Sequence, residues 1–103
     1  MNKVCLTGKV ATEPHFGTSA NGVRFCSIQL KVPGRKKLKF IKVPVIVFGE
    51  TAEIAARKLR NSMVIGVVGE LGYSESNGRL FLTVVGRELT LPDCTVDRLI
   101  FEE

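Results

Sequence analysis

The sequence predicts an all-β domain, a five-stranded Greek-key barrel with one α-helix between strands 3 and 4. Three observations predict this fold. Several segments alternate apolar and polar residues with a period of two, which is typical of half-buried strands. Turn-forming residue pairs separate those segments. One alanine-rich segment without proline has helical spacing, and it lies between the third and fourth alternating segments.

Two alternating segments open the chain. The first strand covers residues 3–10, and the second covers residues 23–32 after the turn pair Asn21-Gly22. The side of each strand that we expect to face the core carries Val4, Leu6, Gly8 and Val10 in the first, and Cys26, Ile28, Leu30 and Val32 in the second. We expect the two strands to form a hairpin, with residues 11–22 as the loop between them.

The third strand, residues 40–48, follows directly on a basic loop at residues 35–39. Its two faces carry Ile41, Val43, Val45 and Val47 on one side and Phe40, Lys42, Pro44, Ile46 and Phe48 on the other. The uniformly aliphatic face suits the barrel interior. Proline lacks the N–H for a central ladder, so Pro44 indicates an edge position or a bulge.

The helix is predicted at residues 50–61, and two further strands at residues 63–71 and 80–89. The turn pair Asn77-Gly78 joins these last strands. Five short strands with one helix after the third are what a barrel of the OB type requires. We therefore interpret residues 1–103 as a single OB-fold domain, in which residues 91–103 form a C-terminal extension without a long acidic tail.

The charge of the chain favours polyanionic partners. Fifteen Lys and Arg residues against ten Asp and Glu residues give a formal net charge of +5. No acidic residue lies between Glu13 and Glu50, and this stretch holds seven basic residues, Arg24, Lys31, Arg35, Lys36, Lys37, Lys39 and Lys42. A solvated basic loop would show the same pattern, so charge alone does not identify the partner.

Several classes of function are not favoured. No segment has the length and apolarity of a membrane helix or a signal peptide, which predicts a cytoplasmic protein. Cys5, Cys26 and Cys94 are odd in number and accompanied by the single His15, so we expect reduced packing residues and neither a disulfide framework nor a metal site. We expect no cofactor and no enzymatic activity. Gly66 and Gly69 lack the Lys-Ser/Thr of a phosphate loop and are expected to mark strand bends.

The outer face of the third strand suggests a ligand. Phe40 and Phe48 flank Lys42 there, next to the basic loop. Proteins that bind single strands combine aromatic rings, on which bases stack, with cations that follow the phosphates. The alternative is that both phenylalanines pack under loops or in a subunit interface.

Several short motifs resemble the bacterial single-stranded DNA-binding protein family, in order along most of the chain. Asn2-Lys3-Val4-Cys5-Leu6-Thr7-Gly8-Lys9 is similar to the family's opening Asn-Lys-Val-x-Leu-x-Gly, and Pro14 to its proline near the end of the first loop. Val47-Phe48-Gly49-Glu50 resembles the family's aliphatic-Phe/Trp-Gly-Lys strand end, and Ala52-Glu53-Ile54-Ala55 its helix. Gly69-Glu70-Leu71 and residues 73–85 resemble its last two strands.

The resemblance implies an OB fold, a single-stranded DNA ligand and a homodimer or homotetramer, which protects DNA during replication, recombination or repair and associates with the nucleoid. By position, Phe48 and Tyr73 match the family's stacking aromatics. A third aromatic position falls on Lys42, and Phe40 replaces it after a shift of two residues. Together with the basic segment, the expected DNA-binding residues are Phe40, Phe48, Tyr73, Arg35, Lys36, Lys37, Lys39 and Lys42.

Two alternatives remain open at this point. Val43-Pro44-Val45-Ile46-Val47 resembles the third strand of the primosomal replication protein N, a close relative that acts in replication restart, and replication or primosome proteins would then be partners. An OB-fold protein-interaction module is the other alternative. Salt distinguishes DNA binding from an apolar protein interface, because phosphate neutralisation makes affinity fall steeply with ionic strength.

Overall fold

The computed structural model describes residues 1–35 and 39–91, which form six strands and one helix. The elements in chain order are β1 (Val4–Val10), β2 (His15–Thr18), β3 (Arg24–Pro33), β4 (Phe40–Phe48), α1 (Gly49–Lys58), β5 (Val64–Ser76) and β6 (Arg79–Thr90). No described helix has both the length and the apolar character needed to span a membrane.

Five strands close into a ring in the order β1-β5-β6-β4-β3, and β3 then pairs with β1 again. Neighbouring strands are antiparallel except β4 and β6, which run parallel over three residue pairs from Val45↔Val84 to Val47↔Gly86. In chain order, helix α1 lies between β4 and β5, which are the third and fourth of these five strands. The predicted five-stranded barrel of the OB type is therefore confirmed.

The sixth strand, β2, is a correction to the sequence-based expectation. Residues 15–18 were expected in a loop, but they pair with residues 24–27 of β3. Asn21-Gly22 therefore closes the β2–β3 hairpin, and β1 meets β3 only at Lys9↔Lys31 and Val10↔Leu30. The edge of β3 that β1 leaves unpaired supplies the hydrogen-bonding partner for β2, an interaction that local residue preferences do not reveal.

The core has the predicted alternation. Twelve apolar residues are buried in it: Val10, Cys26, Ile28, Leu30, Val45, Val47, Ala52, Ala55, Leu59, Ile65, Val67 and Val84. One residue of the expected inner face of β4 departs from this pattern, because Ile41 is exposed. It lies near the end of the β3–β4 hairpin, four residues before the first pairing of β4 with β6 at Val45. The barrel therefore covers only the second half of β4.

The cysteines divide between core and surface. Cys26 is buried, and desolvation raises the pKa of its thiol to about 11, so it stays protonated and packs as a small apolar group. Cys5 is exposed, which corrects its interpretation as a packing residue. It lies on the outer side of β1, opposite Val68 of β5. Cys94 lies outside the described residues.

Helix α1 packs mainly on β3 through Ala52 and Ala55. It ends at Lys58, three residues before the predicted end, because Leu59 adopts an extended conformation. The amide of Leu59 still donates to the carbonyl of Ala55, 2.8 Å away, and its side chain is buried. Burial of Leu59 against the barrel therefore ends the helix, although the sequence favours a helix for three more residues.

The β5–β6 hairpin is longer than predicted, since residues 72–76, expected in a loop, are strand. Its turn has two residues, Asn77 and Gly78, both with positive φ, as the predicted turn pair requires. Residues 73–82 are all exposed, so the distal half of the hairpin projects from the barrel. The Asn2 side chain anchors the base of this projection by bonding both backbone groups of Leu71, at 2.9 and 2.8 Å.

A β-bulge interrupts the same hairpin inside the barrel. Val68 pairs with Glu88 and Gly69 with Gly86, so Arg87 is an extra residue on β6. Gly69 therefore lies at an irregularity of the strand, as the expectation of a strand bend at this glycine predicts. The bulge turns Arg87 toward Glu70, whose carboxylate accepts from its Nε at 2.7 Å.

Candidate nucleic-acid interface

The outer face of β3–β4 is the surface formed by five cross-strand pairs. These pairs are Phe25↔Phe48, Ser27↔Ile46, Gln29↔Pro44, Lys31↔Lys42 and Pro33↔Phe40. Aromatic residues therefore stand at both ends of the face, and two lysines lie opposite each other between them. Pro44 comes directly before the first β4–β6 pair, and its carbonyl accepts a hydrogen bond from the Thr83 hydroxyl at 3.1 Å. Its position beside an unpaired stretch of β4 agrees with the edge position expected for it.

Phe48 lies at the end of β4, immediately before α1, and is 40% exposed. Phe25 is directly opposite it on β3, and the Phe25 ring centroid lies 6.0 Å from that of His15 on β2. His15, Phe25 and Phe48, on three adjacent strands, therefore place aromatic rings side by side in an aromatic strip on one side of the barrel. Such a strip presents flat apolar surface at which bases can stack.

Tyr73 borders the same groove as Phe48. This groove has a volume of about 470 Å³ and is lined by Thr12, Glu13, His15, Ser27, Ile28, Gln29, Pro44, Val45, Ile46, Phe48, Tyr73, Ser74, Thr83 and Val85. Within the β5–β6 ladder, Tyr73 lies opposite Leu82. At 67% exposed, it lies at the rim of the groove rather than in its floor.

Phe40 lies at the other end of β4, about 26 Å from Phe48 at the usual rise per strand residue. It is 43% exposed, and the Lys31 Nζ lies 4.5 Å from its ring centroid. The lysine covers one face of the ring in a cation–π contact and leaves the rest open. Phe40 and Phe48 are therefore two separate exposed aromatic side chains on one face.

The cations expected from the sequence lie around the Phe40 end of this face. Arg35, Lys39 and Lys42 are exposed. The amide of Gly34 donates to the carbonyl of Lys39 at 3.3 Å, which brings the two ends of the basic loop together. Lys36 and Lys37 lie outside the described residues.

Three residues of this surface were not identified from the sequence: Phe25, Lys31 and His15. The period of two in the second predicted strand places Phe25 and Lys31 outward, which is a usable signal. Their roles depend on register, because only the β3–β4 pairing brings Phe25 beside Phe48 and Lys31 beside Lys42. His15 joins them only through β2, which the sequence does not predict.

The described residues offer no group of three potential metal ligands. Arg87, a cation outside the outer face of β3–β4, is held by its ion pair with Glu70. The chemistry of this surface is therefore that of aromatic faces, lysine charges and a groove of apolar and polar groups that includes one acidic residue, Glu13.

Comparison with known proteins identifies the family. The model of the single-strand binding protein family matches residues 1–88. The chain belongs to this family. The single-stranded DNA-binding protein 1 of Clostridium acetobutylicum is 32% identical over 102 residues, covering 86% of this chain and 91% of that relative.

Solved structures of the single-strand binding proteins share the fold. A deletion mutant of the single-stranded DNA-binding protein from Thermus aquaticus superposes with a TM-score of 0.76 at 22% identity, over 90% of this chain. The chain spans 42% of the length of that protein. The single-strand binding domain of a Synechococcus protein superposes with a TM-score of 0.74 at 15% identity, covering 87% of this chain and 94% of that domain.

Proposed function

We propose that this protein binds single-stranded DNA with little sequence preference. The observation that carries the proposal is the outer face of β3–β4, where exposed aromatic rings and lysines share one surface in a member of the single-strand binding protein family. Bases stack on Phe48, Tyr73 and Phe40. The phosphates follow the cations Arg35, Lys36, Lys37, Lys39 and Lys42. The proposed role of the protein is to bind DNA rather than to catalyse a reaction.

The lysine pair supports an anionic ligand. Lys31 and Lys42 lie directly opposite each other in the β3–β4 ladder, and like charges in this arrangement destabilise a sheet. Lys31 is partly compensated by the Phe40 ring, whereas Lys42 is exposed and has no ion-pair partner within residues 1–35 and 39–91. A phosphate placed between the two ammonium groups would relieve the repulsion.

The protein should bind single strands with much higher affinity than duplex DNA, because stacking requires exposed base faces that a duplex hides. Fluorescence anisotropy with oligo-dT and with a duplex of equal length measures the difference. Equal affinity for the two would leave only nonspecific charge attraction and would reject the stacking surface.

Removing two phosphate-contacting lysines should flatten the salt dependence of binding. Each phosphate contact to a single strand contributes about −0.7 to the slope of log affinity against log salt, so Lys39→Ala with Lys42→Ala should reduce its magnitude by roughly 1.4. The matched control removes Arg57 and Lys58, two exposed cations of α1, and should leave the slope nearly unchanged. Equal flattening in both variants would show that net charge, rather than the outer face of β3–β4, sets the slope.

The projecting β5–β6 hairpin supports a second part of the proposal, a homodimer or homotetramer. Leu71, Leu80 and Leu82 are 45%, 66% and 67% exposed, and neighbouring large apolar groups of this kind mark protein contacts. Light scattering tests the assembly, and a mass of 11.3 kDa with and without oligo-dT would contradict it. In the cell, we propose a cytoplasmic, nucleoid-associated role in replication, recombination or repair, with replication restart as the alternative.

A further inference from the structure

The groove beside Phe48 differs in charge from the rest of the surface. The described residues that line it include neutral polar groups and apolar groups, and one formally charged side chain, Glu13. An acidic residue at this place is unexpected in a chain of net charge +5, on a surface whose other charged groups are lysines. The groove is also of the size that accommodates small ligands. It is therefore suited to a base rather than to a phosphate.

Glu13 lines the same groove as two residues of the aromatic strip, His15 and Phe48. It precedes His15 by two residues, and the His15 ring is 6.0 Å from Phe25, which lies opposite Phe48. Within the described part of the chain, the Glu13 carboxylate accepts no hydrogen bond and forms no ion pair, whereas Glu70 is bound to Arg87. Both oxygens of Glu13 are thus free to accept hydrogen bonds from a ligand in the groove.

The bases differ in what they offer to a carboxylate. Cytosine, adenine and guanine each carry an exocyclic amino group, and carboxylates accept hydrogen bonds from the N4 amino group of cytosine. In a single strand this edge of the base is free to be contacted. Thymine instead presents two carbonyl oxygens, O2 and O4, on either side of one N–H. A carboxylate approaching thymine therefore meets two acceptors and is repelled by them.

We propose that Glu13 makes this groove prefer a base with an exocyclic amino group over thymine at one nucleotide position. The inference rests on the proposed binding of single-stranded DNA and refines it, since the rest of the interface contacts rings and phosphates that all sequences share. One charge-assisted hydrogen bond in a partly open groove corresponds to a preference of about fivefold.

The test compares oligo-dC with oligo-dT of equal length, by anisotropy, for the wild type and for Glu13→Gln. Glutamine keeps the size of the side chain and can both donate to thymine and accept from cytosine, so the dC/dT affinity ratio should fall about fivefold. Dividing the two ratios cancels the intrinsic difference in stacking between cytosine and thymine. Glu50→Gln is the matched control, because it removes the same charge from an exposed position in the first turn of α1 and should leave the ratio unchanged.

Two results would overturn the inference while leaving the proposed function intact. In the first, Glu13→Gln raises affinity equally for both oligonucleotides, which means that Glu13 only repels DNA. In the second, the ratio stays the same. If the wild type binds neither oligonucleotide, the proposed function itself fails, and the inference fails with it.

Discussion

Replacing Phe48 with alanine should weaken the binding of oligo-dT by about 5- to 150-fold, the loss expected for removing one stacked base at about 1 to 3 kcal/mol. The fold should remain, because Phe48 is 40% exposed and lies on the outer face of β3–β4 rather than in the core. Anisotropy measures the affinity, and thermal unfolding followed by circular dichroism measures the stability.

Phe16→Ala is the matched control for this experiment. Phe16 is 42% exposed, nearly as much as Phe48, but it lies opposite the buried Cys26 in the β2–β3 ladder and contributes to a pocket beside α1. Its removal should leave DNA affinity within about twofold of the wild type, as expected for a side chain outside the stacking surface. If Phe48→Ala unfolds the protein, Phe48 is a structural residue. If both variants lose affinity equally, the stacking strip has been assigned to the wrong residues.

Gly69→Ala should lower the free energy of unfolding by about 2 to 3 kcal/mol. Gly69 is buried at the β-bulge, and a Cβ there would overlap the Val85 carbonyl oxygen and lie 2.9 Å from the Gly86 Cα. Both obstacles are backbone atoms of the paired strand, which cannot move aside without opening the β5–β6 ladder. Urea denaturation, followed by circular dichroism, measures the change.

Gly72→Ala provides the comparison for this prediction, three residues further along β5. A Cβ at Gly72 would lie 3.2 Å from a Val85 methyl group, a tight contact with a side chain rather than with backbone. We expect a cost below about 1 kcal/mol, in the range of ordinary surface and rim substitutions. Equal losses at both positions would show that a general effect of replacing glycine in a strand, rather than the bulge geometry, sets the loss of stability.

The sequence predicts the barrel strands well because burial on one side imposes a period of two. Cys26, Ile28 and Leu30 alternate with polar neighbours and are all buried. Where the barrel ends, this rule loses its physical cause. Strand β5 continues through the exposed residues 73–76, which pair with β6 without facing a core. Ile41 is exposed although the pattern places it inside.

Features that depend on pairing between distant residues were harder to predict. The strand β2 exists because β3 has a free edge beside it, and the extra residue Arg87 becomes a bulge only when β6 is aligned with β5. The candidate interface divides in the same way. Alternation along one strand places Phe40, Lys42 and Phe48 on a common face, whereas the cross-strand register brings in Phe25 and Lys31.

The short contact between β1 and β3 gives the ring one weak point. Only Lys9↔Lys31 and Val10↔Leu30 pair there, with one further bond from the Ala11 amide to the Gln29 carbonyl at 2.8 Å, while β1 pairs with β5 over six residues. Local opening of a native protein begins where the fewest bonds must break. Opening at this contact leaves a continuous sheet in the order β1-β5-β6-β4-β3-β2, with every hairpin intact. We therefore expect the Ala11 amide to exchange its hydrogen with solvent before the amides of the β5–β6 ladder, because the barrel should open locally at the β1–β3 contact.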